Sequence, residues 1–166
     1  MNIKRIIPCL TIFKGRLIKT TKFNLNEHTY LGDVLNAVRI FNEKKVEELI
    51  IKDIGASINN TDPDFRLIEK ISNISRMPIC YGGGIKTVDQ AEKILASGIE
   101  KISISTAAIE DVNILKELAD KIGIQSVSLT LDIKKINNEF LIFKNNGKIN
   151  SLKNLFEFID KIKNDI

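Results

Sequence analysis

Apolar and amphipathic stretches alternate along the chain in a regular beat, the pattern of a parallel α/β fold. Five apolar runs are short and β-rich enough to be strands: KRIIPCLT from Lys4, ELIIKDI from Glu48, MPICYG from Met77, KISIS from Lys101 and SVSLTLD from Ser126. The stretches between them have helical spacing. Val34, Leu35, Val38 and Phe41 share a face behind Asp33, a cap, and a second helix runs from Asp64 to Ile74. Thr87, Val88, Asp89 and Gln90 make a capping-box pattern, and the helix they open stops at Gly98. A fourth helix carries Ile114, Leu115, Leu118 and Ile122 on one side and ends at Gly123. After the fifth strand, EFLIFKNNGKI reads as a hairpin excursion with an Asn-Gly turn, before a last amphipathic helix from Ser151 to about Asn164.

Alternation along a strand says which residues share a face. In the fifth strand Val127, Leu129 and Leu131 alternate with Ser128, Thr130 and Asp132, so the apolar set meets the helices and the polar set faces inward. The same parity groups Arg5, Ile7, Cys9 and Thr11 in the first strand, and Lys101, Ser103 and Ser105 in the fourth. A closed barrel normally fills its axis with bulky Val, Ile and Leu. This interior leaves room for something polar to pass or bind. The first and fifth strands also overlay as CLTIFK on TLDIKK, which sets Thr11 against Asp132.

Composition narrows the setting. The chain of 166 residues is 43% hydrophobic without a long uncharged run, enough for one domain with a real core and no membrane span. The basic start and short apolar run are followed by Lys14, Arg16 and Lys19, which excludes a secretory signal. Cys9 and Cys80 lie apart in apolar runs, pointing to reduced thiols, a cytoplasmic protein and no metal knuckle. No metal or other cofactor is expected. The net charge of +4 with 8 Phe and 2 Tyr is a poor basis for nucleic-acid binding. His28, in the polar segment NLNEHTY, reads as a surface residue.

Two loops carry a phosphate signal: YGGGI at 81–85, and STAA at 105–108 ahead of a helix. Glycines let a backbone approach an anion, but three of them equally suit a tight strand-to-helix turn. The paired STAA loop favours phosphate.

In this order and spacing, RIIPCL with G-R-x-x-K-T, E-L-x-x-x-D-I-x-A-S, GGGI and K-I-S-I-S-T-A-A closely resemble the HisF family, the cyclase subunit of imidazole glycerol phosphate synthase. The resemblance covers essentially the whole chain. It implies a (β/α)8 barrel of which this chain holds about five βα units: a first half-barrel over 1–124 and the start of a second over 125–166, in a single incomplete domain. It also implies ammonia received from a separate glutaminase of the HisH type and, in the histidine-pathway member, attack on a phosphorylated aminoimidazole substrate with two strand-end aspartates as acid and base. Asp132 matches the second aspartate; Thr11 stands in place of the first. A hydroxyl cannot replace a carboxylate as a general base at neutral pH.

Other positions follow from the same resemblance. Lys19 matches the lysine of the mobile loop after the first strand. Gly83, Gly84 and Thr106 fall in the phosphate site, and Ser105 replaces an asparagine there. Arg5, Glu48 and Lys101 match three of the four charged residues that gate ammonia entry. Lys52 stands where the family usually has an apolar residue; it either points inward, to pair with Asp132 or meet an anionic ligand, or snorkels outward.

Delivery kept and cyclisation damaged, together with YGGGI, the Lys19-Thr20 pair and GDVLNAVRIFNEK opening the first helix, looks most like a branch of the family outside histidine synthesis. Those paralogues work beside a glutaminase and a third, ATP-dependent enzyme to turn an N-acetyl group on a surface-polysaccharide sugar into an acetamidino group. Three functions stay open: an ammonia-channelling subunit for sugar amidination, a histidine-pathway cyclase (a lyase) with altered acid-base chemistry, or a non-catalytic remnant that only binds the glutaminase. Family members run to about 250 residues, and this chain stops in the helix after the fifth strand. Truncation is the expectation, with completion by a second polypeptide as the alternative.

Overall fold

The computed structural model describes residues 4–165. In chain order it contains β1 (Cys9–Phe13), β2 (Arg16–Thr20), β3 (His28–Asp33), α1 (Val34–Glu43), β4 (Leu49–Asp53), α2 (Ile54–Asn59), α3 (Phe65–Ile74), β5 (Ile79–Gly82), α4 (Val88–Ala96), β6 (Lys101–Ile104), α5 (Thr106–Glu110), α6 (Asn113–Ile122), β7 (Val127–Leu129), β8 (Asp132–Ile136), β9 (Glu139–Lys144), β10 (Ile149–Asn154) and α7 (Leu155–Asp165). Seven strands form one sheet in the order β3-β2-β1-β4-β5-β6-β7. Its five strands β1, β4, β5, β6 and β7 are parallel, the partial (β/α)8 arrangement expected. No helix among the described residues is long and apolar enough to cross a membrane.

The helices begin where their caps require. Asp33 Oδ1 accepts from Asn36 N at 3.0 Å to open α1, Asp64 Oδ1 accepts from Leu67 N at 3.0 Å to open α3, and Thr87 with Gln90 completes a reciprocal capping box on α4. Between these helices and the sheet lies the core. Ile12, Leu49, Ile51, Ile79, Tyr81, Ile102 and Ile104 are essentially sealed from solvent on the helix-facing side. The alternate residues face the other way. Register sets Thr11 beside Lys52, Lys52 beside Gly82, Gly82 beside Ser103 and Ser103 beside Ser128, one row across five strands. One step towards the strand starts, Cys9, Ile50, Cys80 and Lys101 make a second row.

Four expectations change. The first strand starts at Cys9, so Arg5 and Ile7 precede it rather than forming part of it. RLIKT is not a loop. It pairs antiparallel with β1 and β3 through a two-residue turn at Lys14 and Gly15, both at positive φ (50° and 72°), the backbone a tight hairpin demands. The fifth strand breaks after Leu129, and Asp132 opens a separate three-stranded antiparallel sheet, β10-β9-β8. Finally, residues 151–154 belong to β10, so the last helix starts at Leu155, four residues late.

Candidate functional site

At the starts of the parallel strands a carboxylate sits between two cations. Glu48, only 5% exposed, precedes β4, and its Oε1 and Oε2 accept from Lys101 Nζ at 3.0 and 3.1 Å. Arg5 Nη1 approaches Glu48 Oε2 at 3.7 Å from the segment ahead of β1. A buried carboxylate needs such partners to stay ionised. The three residues grouped by sequence therefore meet in space.

At the opposite, C-terminal ends of the strands lies a cleft of about 1180 Å³. Thr11, Lys52, Gly83, Gly84, Ser105, Thr106 and Asp132 all line it, together with Ser103 and Thr130. Lys52 decides the character of its floor. Of the two directions the sequence left open, the inward one holds: Lys52 Nζ donates to Ser103 Oγ at 2.5 Å and to Thr130 Oγ1 at 2.6 Å, and those two hydroxyls lie 2.6 Å apart. Thr130 is held there because its backbone N–H continues the ladder to the Ile104 carbonyl at 2.9 Å. Burial pushes the Lys52 pKa down, against the opposing pull of Cys80, Cys9 and Asp132.

Gly82 makes this arrangement possible. A Cβ there would lie 2.9 Å from the Ser103 carbonyl oxygen and 3.3 Å from Lys52 Cδ, so the lysine stem crosses the gap that the missing side chain leaves. The next two glycines answer to packing as well. A Cβ on Gly83 would fall 2.3 Å from the Asp53 carbonyl oxygen, one on Gly84 2.7 Å from that of Thr61, and both have positive φ (134° and 72°). Their backbone still faces the cleft beside Ser105 and Thr106.

Asp132 stands half-buried at the cleft wall. Burial pushes its carboxyl pKa up, while the Gly147 amide and the Lys52 and Lys134 ammoniums pull it down. It makes no ion pair with Lys52, contrary to one of the readings open from sequence. Lys19 is not brought to it either. That residue is exposed on β2 and lines an adjoining pocket of about 350 Å³, which shares Cys9, Thr11 and Phe23 with the main cleft.

Two elements of the site escaped sequence reasoning. Asp53 is buried and caps α2, its Oδ1 accepting from Gly55 N at 2.9 Å and Ala56 N at 3.2 Å; burial pushes its pKa up, and these two bonds partly offset that. Its signal was available, since an aspartate at a strand end before Ile-Gly-Ala is a cap pattern. The β9–β10 turn folds over the cleft mouth: Asn146 Nδ2 donates to the Ile54 carbonyl at 3.0 Å, and Asn145 N to Thr106 Oγ1 at 3.4 Å. The turn was legible as Asn-Gly, but nothing local says where it lands.

Remaining candidates fall away. The Cys80 thiol is pushed up to about 11 by burial, which makes it a poor nucleophile. His28 is exposed, with Nδ1–H donating to the Leu25 carbonyl at 2.6 Å. Among the described residues no group of three His, Cys, Asp or Glu side chains is placed to hold a metal ion.

Comparison with known proteins agrees with this architecture. Residues 5–165 match the family described as histidine biosynthesis protein. A Vibrio vulnificus (strain YJ016) protein named as imidazole glycerol phosphate synthase subunit hisF3 is 46% identical over 161 residues, 96% of this chain and 61% of that protein. A Pseudomonas aeruginosa protein named as subunit hisF2 is 51% identical over 132 residues, 80% of this chain and 52% of that protein. The imidazole glycerol phosphate synthase subunit HisF of Sulfurisphaera tokodaii is 32% identical over 152 residues, 91% of this chain and 60% of that protein. The chain thus spans between half and two thirds of the length of these relatives. With an inward ion-paired cluster at the strand starts, a cleft at the strand ends and a match over nearly its whole length, the chain belongs to the histidine biosynthesis protein family, among its HisF-type members.

Proposed function

We propose that this chain is the acceptor-binding part of a two-protein amidotransferase. Ammonia made by a partner glutaminase enters at Arg5, Glu48 and Lys101, moves along the inward faces of the strands and meets an acceptor held in the cleft. The acceptor is an N-acetylated sugar that becomes an acetamidino sugar, with a third, ATP-dependent enzyme activating the group. Gly83, Gly84, Ser105 and Thr106 hold a phosphate of the acceptor, and Lys19 reaches over it from β2.

One observation carries the reading. Lys52, not a carboxylate, is the register neighbour of Thr11, and it is bonded to Ser103 and Thr130 across the cleft floor. A floor with an ammonium and hydroxyls has lost one of the two carboxylates that serve cyclisation as acid and base, while the entrance keeps its charges. The relatives named hisF2 and hisF3 share 51% and 46% identity with this chain, against 32% for the Sulfurisphaera HisF, which supports a branch apart from the histidine-pathway enzyme.

The second reading, a histidine-pathway cyclase, draws on Asp132. A half-buried carboxyl with a raised pKa at the cleft wall is suited to proton transfer. Growth separates the two. A strain lacking its own cyclase subunit, supplied with this chain, is expected to stay dependent on histidine; robust growth without histidine would favour the cyclase.

A further inference from the structure

The floor of the cleft holds a cation whose counter-charge is missing. Lys52 is half-buried, and no Asp or Glu among the described residues pairs with it; even Asp132, the acid that pulls on it, is not bonded to it. A charge drawn partly out of water gains from a counter-charge, so an unpaired one that lines a cleft points to a ligand that completes it.

Counting donors narrows the class. An ammonium has three N–H donors, and two are spent on Ser103 Oγ and Thr130 Oγ1. The two hydroxyls share one O–H···O bond at 2.6 Å, which leaves one O–H free. One charged N–H and one O–H therefore remain, a match for the two oxygens of a carboxylate. Phosphate has its own place nearby. Ser105 and Thr106 line the same cleft just beyond the end of the strand that carries Ser103.

We propose that Lys52, Ser103 and Thr130 form a carboxylate-recognition site, so that the acceptor held in this cleft carries a carboxylate besides its phosphate. The proposal rests on the reading above for the location of the acceptor and not on the glutaminase.

Three probes isolate the carboxylate: 6-phosphogluconate has both anions, sorbitol 6-phosphate only the phosphate, and gluconate only the carboxylate. By titration calorimetry the chain is expected to bind 6-phosphogluconate at least about tenfold more tightly than sorbitol 6-phosphate, and gluconate more weakly than either. Lys52→Met should bring the ratio of the two phosphates to about one while leaving sorbitol 6-phosphate unchanged. Ser103→Ala keeps the charge and removes one hydroxyl, so it should reduce the ratio part of the way; it carries the test if Lys52→Met does not fold. Equal binding of the two phosphates, no binding of any probe, or a ratio that survives the substitutions overturns the proposal. Loss of the glutaminase response with this ratio intact would sink the ammonia reading alone, and the reverse pattern would sink the carboxylate site alone.

Discussion

The two mouths of the strand interior are built from the same materials and use them in opposite ways. At the strand starts, Glu48 is bracketed by Lys101 and Arg5. At the strand ends, Lys52 is bracketed by two hydroxyls and has no acid bonded to it. The first arrangement closes on itself. Its cations are still partly exposed, with Arg5 and Lys101 side chains 55% and 35% open to solvent. The second leaves its charge without an acid partner among the described residues.

The comparison breaks most severely at Gly82. A Cβ there meets the Ser103 backbone at 2.9 Å, which cannot move aside as a side chain could, and it meets Lys52 as well. Gly82→Ala should cost about 2–3 kcal/mol, read as a lower urea midpoint, and should displace Lys52 from the floor. Glu48→Ala comes next. It leaves Lys101 and Arg5 facing each other without their carboxylate, and we expect a loss of about 2 kcal/mol, less than for a fully enclosed pair because both cations reach solvent.

Asp132→Asn is the smallest of the three and has the opposite sign. The folded carboxyl holds its proton to higher pH than the unfolded one, so the native chain loses stability as pH rises from the ordinary aspartate value, about 3.9, through the raised folded value. The amide removes that loss. Above the window Asp132→Asn should be slightly more stable than the native chain, and its urea midpoint should vary less with pH across it. A destabilised amide variant would mean that the carboxylate is held by partners better than burial penalises it.

How much of this could be read from sequence differs between the same two ends. Helix starts were read from local caps at Asp33, Asp64 and Thr87, whereas the cap at Asp53 was missed. The ion-paired cluster at the strand starts was legible too, because Arg5, Glu48 and Lys101 carry their charge at positions that a family pattern groups. The floor was not. Which way Lys52 points is settled by Gly82, thirty residues on and its neighbour only through sheet register. Asp132 was misread as the end of a continuous strand because Leu131 preserves the alternation through the break; only the pairing of Asp132 with Phe143 reveals a second sheet. The β1–β2 turn hid for a backbone reason, since Lys14 takes a positive φ that lysine seldom adopts, and only Gly15 hints at it.

The central claim is that ammonia enters past Glu48. Mixed with its partner glutaminase, the chain should raise the rate of glutamine hydrolysis. Glu48→Gln, which keeps the shape and removes the charge, should bind the glutaminase but cut that stimulation by at least about tenfold. Full stimulation by Glu48→Gln, or none by the native chain, would contradict the account.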